Sequence, residues 1–596
     1  VEHLKYLNKF FYKYRGKFLL GFLFVTISNY FRVLQPGMIR EGFDLVVEQI
    51  AMYRLLDGFD LQKEYFRLLS TSLIYYGGLV ILLAIVMGIF MYFMRQTLIV
   101  MSRLIENDLR EEIFGQYERL SLSFYKRNNT GDLMSRITED VSKVRNYLGP
   151  VLLYGFNLSS TVILTVYVML DVNPTLTLYC LAPLPFLSIS IYYVSNMIHQ
   201  RSERIQQQLA MLNVTAQEVY SGIRVVKSYV QEKPTARHFA EECESFKTES
   251  LRLTRVDAYF YPLMLLMIGA STILTVYVGG LEVIAGNVTP GNIAEFVIYV
   301  NMLTWPVTSI GWIASLTQQA AASQKRINEF LQIEPEISSP QTKPGALQGD
   351  IVFDHVSFRY PDTGIQALQD VSFHLRPGQK MAIIGKTGSG KTTIADLLLR
   401  MYDLPDDRIR IDGRPIRQMD LDNLRARTGY VPQDVFLFSD TVANNIAFGK
   451  RGATEAEIHE FARYAAVYDD IMGLPNGFAT LVGERGVTLS GGQKQRVSIA
   501  RALIKQPDII ILDDCLSAVD THTERTILSY FTDALRDKTT VIITHRIYSL
   551  LSFDLIIVLD EGRIVEQGTH EQLMARKGAY AELYERQLVE EAETTA

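Results

Sequence analysis

Met381-Ala-Ile-Ile-Gly385-Lys-Thr-Gly-Ser-Gly390-Lys-Thr392-Thr-Ile-Ala-Asp-Leu-Leu398 is the stretch on which the reading of this chain turns. Four apolar residues read as a buried strand. Gly385 to Thr392 then forms G-x-x-x-x-G-K-T, and Thr393 onward continues as an apolar helix. In that setting glycines let backbone N–H groups close around phosphate oxygens, and the helix N-terminus adds favourable partial charge. Gly385, Thr387, Gly388, Ser389, Gly390, Lys391, Thr392 and Thr393 are therefore candidate nucleotide contacts. Lys391 is placed to reach the β and γ phosphates, and the Thr392 hydroxyl to ligate Mg²⁺.

Working outward, a second strand, Ile509-Ile-Ile-Leu-Asp513, ends in the paired carboxylates Asp513 and Asp514. Behind a phosphate loop, an acidic residue closing a buried strand is expected to hold Mg²⁺ through water. The next carboxylate is placed to polarise the attacking water. Between the two strands, Leu489-Ser-Gly-Gly-Gln493 opens an expected helix. Ser490, Gly491, Gly492 and Gln493 at its start make a second anion site. If both sites cannot reach one nucleotide, each serves a nucleotide shared with a second domain. Short apolar strands alternating with helices from Ile351 onward predict an α/β domain over 351–590, followed by an acidic tail, 591–596.

Upstream the composition changes. Glu334–Asp350 contains Pro335, Pro340, Pro344 and two glycines, so 331–350 reads as a linker. Before it, the stretches 68–94, 146–170, 172–198, 258–281 and 296–324 lack Asp, Glu, Lys and Arg, and 18–39 is interrupted only by Arg32. Each is long enough to cross about 30 Å of hydrocarbon as a helix. Six spans are expected within a membrane domain over 1–330. Lys5, Lys9, Lys13, Arg15 and Lys17 precede the first span and put the N-terminus in the cytoplasm. The long charged connections 95–145 and 199–256 are helix-periodic and must extend beyond the bilayer on that same side. Leu4, Leu7, Phe11 and Tyr14 fall on one helical face, which suits an interfacial helix over 3–15, with a helix packed on protein as the alternative. The first span is too long for a cleavable signal peptide. Arg32 and Asp257 suit either a polar cavity or the interfaces, and Pro306 is expected to bend the last span.

Composition supports this division. The 596 residues are 48% hydrophobic and 21% charged with a net charge of −6, which excludes global disorder and argues against nucleic acid as a partner. Cys180, Cys243 and Cys515 lie too far apart in sequence to build a disulfide framework.

Taken together, these residues resemble the ATP-binding cassette family. The chain from about 3 to 590 resembles a half-transporter of the type IV ABC exporter fold. That implies a polytopic α-helical membrane domain of six transmembrane helices with long intracellular extensions, plus an α/β P-loop NTPase of the ABC cassette type. By the same resemblance, Tyr360 matches the aromatic that stacks on adenine, and Gln433 the glutamine that touches Mg²⁺. Gly483-Glu484-Arg485-Gly486 resembles an exporter loop contacting the intracellular helices. Ser517-Ala-Val-Asp520 matches the loop crossing the dimer interface, and His545 the histidine contacting the γ-phosphate. Thr130-Gly131-Asp132-Leu133 and Glu218 to Lys227 resemble the two intracellular segments, with coupling helices expected near 121–127 and 218–226. The catalytic set so implied is Asp514, His545, Lys391 and Gln433, and the metal set Thr392, Gln433 and Asp513. ATP and Mg²⁺ are the expected cofactors.

One position departs from the family pattern, which most often has Glu where Asp514 stands. Either Asp514 still works through a small backbone shift or an extra water, or its carboxylate, one methylene shorter, sits about 1 Å or more from the position that best orients water, a misplacement that can cost around a hundredfold in rate. In heterodimeric exporters one chain commonly carries such a change. A heterodimer with a second half-transporter chain is thus favoured over a homodimer, this chain hydrolysing slowly but lending an intact signature to its partner's site. The implied activity is ATP-driven export or flipping of hydrophobic or amphipathic substrates, drugs or lipids, by alternating access. The protein would be a multi-pass protein of the cell membrane with both termini cytoplasmic. A nucleotide-gated or regulatory ABC protein is the rival reading.

Overall fold

The computed structural model describes residues 2–340, 345–483, 486, 488–517, 519, 521–534, 537–545 and 553–595, with some side chains between 187 and 199 and at 260, 307, 308, 521, 522, 532–534 and 588–595 excepted. The chain divides into two units. One comprises Val1–Gln116 and Gly131–Ile333, the other Tyr117–Thr130 and Glu334–Ala596. The segment around 121–127 therefore belongs with the cassette, not with the membrane helices that flank it in sequence.

The first unit is helical throughout, as charge-free runs require where backbone groups must be satisfied within the segment. Its long helices are Arg15–Leu55, Leu61–Arg119, Leu152–Val172, Pro183–Ser221, Glu232–Ile284 and Pro290–Leu331. Among the described residues five helical stretches are long and apolar enough to cross a membrane. The remaining expected span, 172–198, is divided between Pro174–Leu181 and Pro183–Ser221, with several of its side chains outside the description. Small residues let the helices approach. A Cβ on Gly21 would stand 2.5 Å from Leu98 of the next helix. Polar bonds between helices supplement this packing. Tyr299 donates to the Val33 carbonyl at 3.1 Å, Ser271 to the Cys180 carbonyl at 2.6 Å, and Arg40 pairs with buried Glu295 at 3.3 Å. Arg32 is half-buried and Asp257 exposed, while Pro306 lies inside an uninterrupted helix.

The N-terminus differs from its expected pattern. Glu2–Leu7 is a 3₁₀ helix and only Asn8–Lys13 is α-helical. A 3₁₀ turn repeats every three residues, so Leu4, Leu7 and Phe10 are the buried residues, with Phe11 and Tyr14 half-buried. Lys9 and Lys13 pair with Glu112 and Asp108 at 2.7 Å each.

In the second unit, valine- and isoleucine-rich strands with both faces covered make a parallel sheet, as such composition favours. β1 (Ile351–Arg359), β2 (Gln366–Leu375), β4 (Ile409–Ile411) and β5 (Arg414–Pro415) form an antiparallel sheet in the order β2-β1-β4-β5. The larger sheet contains β3 (Lys380–Gly385), β6 (Thr428–Val431), β7 (Ile509–Asp513), β8 (Thr539–Ile543), β9 (Leu555–Asp560) and β10 (Arg563–Gly568), in the order β10-β9-β3-β8-β7-β6. All neighbours are parallel except the edge pair β10 and β9. Every residue of β7 and β8 is buried.

At the end of the expected linker the Asp412 carboxylate accepts the backbone N–H groups of Gln348, Gly349 and Asp350 at 2.8–2.9 Å. Fully buried Arg400 also donates to the Ser338 carbonyl at 2.8 Å. Residues 591–595 of the expected acidic tail continue the helix Ala579–Thr595, whose Glu and Ala residues favour helix.

Candidate nucleotide site

The phosphate loop takes its shape from its glycines. Gly385 closes β3, and a Cβ there would stand 2.1 Å from the Leu559 carbonyl oxygen of neighbouring β9. Gly390 caps the helix Lys391–Leu398 with φ 98°, a left-handed conformation open mainly to glycine. A Cβ on it would meet the Ala367 carbonyl oxygen at 2.3 Å. Lys391 is buried and its Nζ donates to the Gly385 and Lys386 carbonyls at 2.8 Å each. Burial pulls its ammonium below the ordinary lysine range, with Asp514 and Asp513 opposing.

The sheet order gathers the other candidates. β3, β8, β7 and β6 lie side by side and parallel, so their carboxyl ends share one edge of the sheet. Gly385, His545, the Asp513–Asp514 pair and Gln433 lie at or just beyond those four ends. Crevices outside the carboxyl ends of parallel strands are where α/β sheets bind ligands.

Asp513 pairs in register with Ile543 and is 1% exposed. Burial pushes its carboxyl up to about 6, Asp514 and Asp396 adding to the shift while a hydrogen bond from Thr392 and the charge of Lys391 oppose it. Its Oδ2 has no hydrogen-bond partner, and neither has the buried Oγ of Ser389 in the loop. A buried carboxylate oxygen left unpaired is costly unless a cation or donor completes it. Thr392, Gln433 and Asp513 offer only oxygen ligands, the kind Mg²⁺ takes. The residues present thus fit that ion.

Asp514 has a left-handed backbone, φ 46°, its N–H donating to the Ile543 carbonyl at 2.8 Å. Gln433 Nε2 donates to Asp514 Oδ2 at 3.4 Å, which joins the two side chains. Partial burial and the Lys391 charge lower the proton affinity of His545, Asp514 opposing. The His545 carbonyl accepts from Gln587 of the C-terminal helix.

Ser490 and Gln493 direct their bonds elsewhere. Ser490 caps the helix Gly491–Leu503 in a capping box with Gln493. Gln493 Nε2 also donates to Asp470 at 3.2 Å, and Arg496 holds the same carboxylate at 2.8 Å. The bonds of Ser490 and Gln493 thus run to each other and to Asp470, not to the Lys391–Asp513 group. Glu484, Arg485, Ala518 and Asp520, singled out in the sequence, lie outside the described residues.

Tyr360 is half-buried, its hydroxyl 2.9 Å from Thr393 Oγ1 and 3.5 Å from Asp396 Oδ2. Asp396, on the phosphate-loop helix, was not distinguishable in sequence from any other polar helix position. Neither was Lys126, whose ammonium lies over the Tyr360 ring.

Residues 18–307 match the ABC transporter transmembrane region and residues 368–517 the ABC transporter family. The chain is 38% identical to a probable multidrug resistance ABC transporter ATP-binding/permease protein, YheI, of Bacillus subtilis, over 99% of this chain and 98% of that one. The chain is an ABC transporter. This ABC transporter is also 37% identical, over 85% of its length and 84% of the relative's, to an ATP-dependent lipid A-core flippase of Pseudomonas fluorescens. Among solved structures it is similar to a bacterial Atm1-family ABC exporter with ATP bound, at TM-score 0.75 and 27% identity, covering 96% of this chain and 99% of that one. Membrane region and cassette are fused on one chain, as in those exporters, and the cassette of this ABC transporter couples ATP hydrolysis to transport across a membrane it crosses several times.

Proposed function

We propose that this chain is half of a dimeric exporter that moves hydrophobic or amphipathic molecules, drugs or lipids, out of the cytoplasm or inner leaflet by alternating access. The observation that carries the ATP-site part of this reading is the buried, unpartnered Asp513 oxygen at the shared strand edge with Lys391, Thr392, Asp514, Gln433 and His545. In this reading Lys391 exchanges its two carbonyl partners for phosphate oxygens. Thr392, Asp513 and Gln433 hold Mg²⁺, which would neutralise charge on the phosphates. Asp514 orients the attacking water, and His545 donates to the γ-phosphate. Positioning and charge stabilisation supply most of such catalysis.

That the bonds of Ser490 and Gln493 run to each other and to Asp470 and not to that group supports composite sites, each built from one chain's phosphate loop and the other's signature. Asp514 supports a heterodimer in which this chain's own site is slow while its signature completes the partner's. The relatives named for multidrug resistance and lipid A-core flipping support the substrate class. Basic residues before the first span support a cytoplasmic N-terminus. A pump, unlike a gated channel, moves substrate against its gradient. Inverted vesicles bearing the chain and its partner should take up drug or fluorescent lipid only with ATP, and Lys391→Ala should abolish uptake. ATP-independent equilibration would sink the export reading. Purification as a lone-chain dimer with brisk ATPase would sink the heterodimer.

A further inference from the structure

The first intracellular segment sends one side chain to the ring read here as the adenine platform. Ser121 opens the short helix Leu122–Arg127, which is tied to the cassette unit it belongs to. Ser121 Oγ donates to Glu336 Oε2 at 3.1 Å, and Arg127 pairs with the same carboxylate at 3.6 Å. Lys126, next to Arg127, goes to the aromatic side. Its Nζ stands 4.9 Å from the centre of the Tyr360 ring and 5.3 Å from that of Tyr402. Tyr360 has little freedom to avoid it. Its hydroxyl is held by Thr393 and Asp396, and Phe358 and Tyr402 meet its ring nearly perpendicular at 5.1 and 5.3 Å.

We propose that Lys126 and the nucleotide base compete for the Tyr360 ring, so that base binding releases a side chain of the first intracellular segment. The inference rests on the reading of Tyr360 as the base platform. A cation over an aromatic face is held by the ring quadrupole, and a base stacks on the same π surface. Stacking is the stronger of the two, so the base displaces the ammonium. The freed ammonium keeps an anionic neighbour in half-buried Asp396, whose carboxyl is raised by burial and lowered by Lys126 and the Tyr360 hydroxyl. Lys126 is thus a positioning residue. It weakens binding of ligands that carry a base and leaves the triphosphate, gripped by Gly385–Thr392, unaffected.

The test uses the full chain in nanodiscs and displacement of a fluorescent ATP analogue by ATP or by inorganic tripolyphosphate. Lys126→Met should bind ATP about two- to five-fold more tightly, the ratio that ~0.5–1 kcal/mol of cation–π attraction corresponds to. Lys126→Arg should restore the parent affinity, and tripolyphosphate affinity should be the same in all three proteins. If Tyr360→Ala weakens ATP binding but Lys126→Met leaves it unchanged or weaker, the competition is refuted. Equal changes for ATP and tripolyphosphate in Lys126→Met would mark a merely structural role and also refute it. If Tyr360→Ala leaves ATP affinity intact, the platform reading itself fails.

Discussion

Replacing Asp514 with glutamate should raise ATP turnover at this chain's own site by up to about a hundredfold while making the cassette slightly less stable. The Asp514 carboxylate accepts from Gln433 Nε2 at 3.4 Å. One more methylene moves a carboxylate outward by about 1.5 Å, a C–C bond length. Misplacements of roughly 1 Å cost on the order of a hundredfold when a reacting group must be oriented. The backbone argues the other way for stability. With φ 46° the residue is left-handed, a conformation aspartate adopts more readily than glutamate. We expect a loss of about 1 kcal/mol, or roughly 2–4 °C in melting temperature for a domain of this size. The assay is single-turnover phosphate release from this chain's site, with the partner's site inactivated, paired with thermal unfolding of the same preparation. A single-site rate unchanged or lowered at full nucleotide occupancy would refute the reasoning, because length would then not limit the reaction.

Three further outcomes are expected. Gly390→Ala should abolish nucleotide binding, since its Cβ would stand 2.3 Å from the Ala367 carbonyl at a φ of 98°; equilibrium binding of a fluorescent ATP analogue checks this. Asp513 titrates at about 6 in the fold against 3.8 for the free side chain, so its contribution favours the fold most below pH 4 and is lost as the pH rises towards 6. Asp513→Asn should therefore stabilise the nucleotide-free chain at pH 7 by on the order of 2–3 kcal/mol, at about 1.4 kcal/mol per pKa unit, and remove Mg²⁺-dependent ATP binding. A melting curve flat between the two variants at pH 7 would contradict it. Ser490→Ala removes the capping box of the signature helix and should cost about 1 kcal/mol in unfolding free energy. It should also lower turnover at the partner's site more than at this chain's own, as separate single-site assays would reveal.

The parts of the site legible in sequence are those made by contiguous residues. In the phosphate loop Gly385 and Gly390 answer to carbonyls far away in the chain, those of Leu559 and Ala367, but the spacing G-x-x-x-x-G-K-T already carries the loop's geometry. The Ser490–Gln493 cap is local in the same way, a bond across three residues. Gln433 and His545 are different. Neither has a local signal of comparable strength, and only family resemblance singled them out. On the N-terminal face Leu4 and Leu7 are buried as the apolar spacing placed them, and Phe10 joins them because the first turns repeat every three residues. The linker's proline content was silent about Asp412, whose carboxylate lies 62 to 64 positions away from the N–H groups it accepts.

By itself, the sequence determined the two-part organisation, since charge-free runs longer than a bilayer and a strand–glycine loop–helix unit are properties of consecutive residues. It also determined the phosphate loop and the signature cap, where hydrogen bonds close within a few positions. Only the tertiary structure decided which distant side chains meet. Parallel pairing of β3, β8, β7 and β6 puts Lys391, His545, Asp513, Asp514 and Gln433 at one end of the sheet, and that order is set by pairings between strands far apart in the chain, which no local pattern encodes. Burial likewise left the Asp513 oxygen without a partner and raised its carboxyl, because desolvation is a property of everything packed around a group and not of its neighbours in the chain.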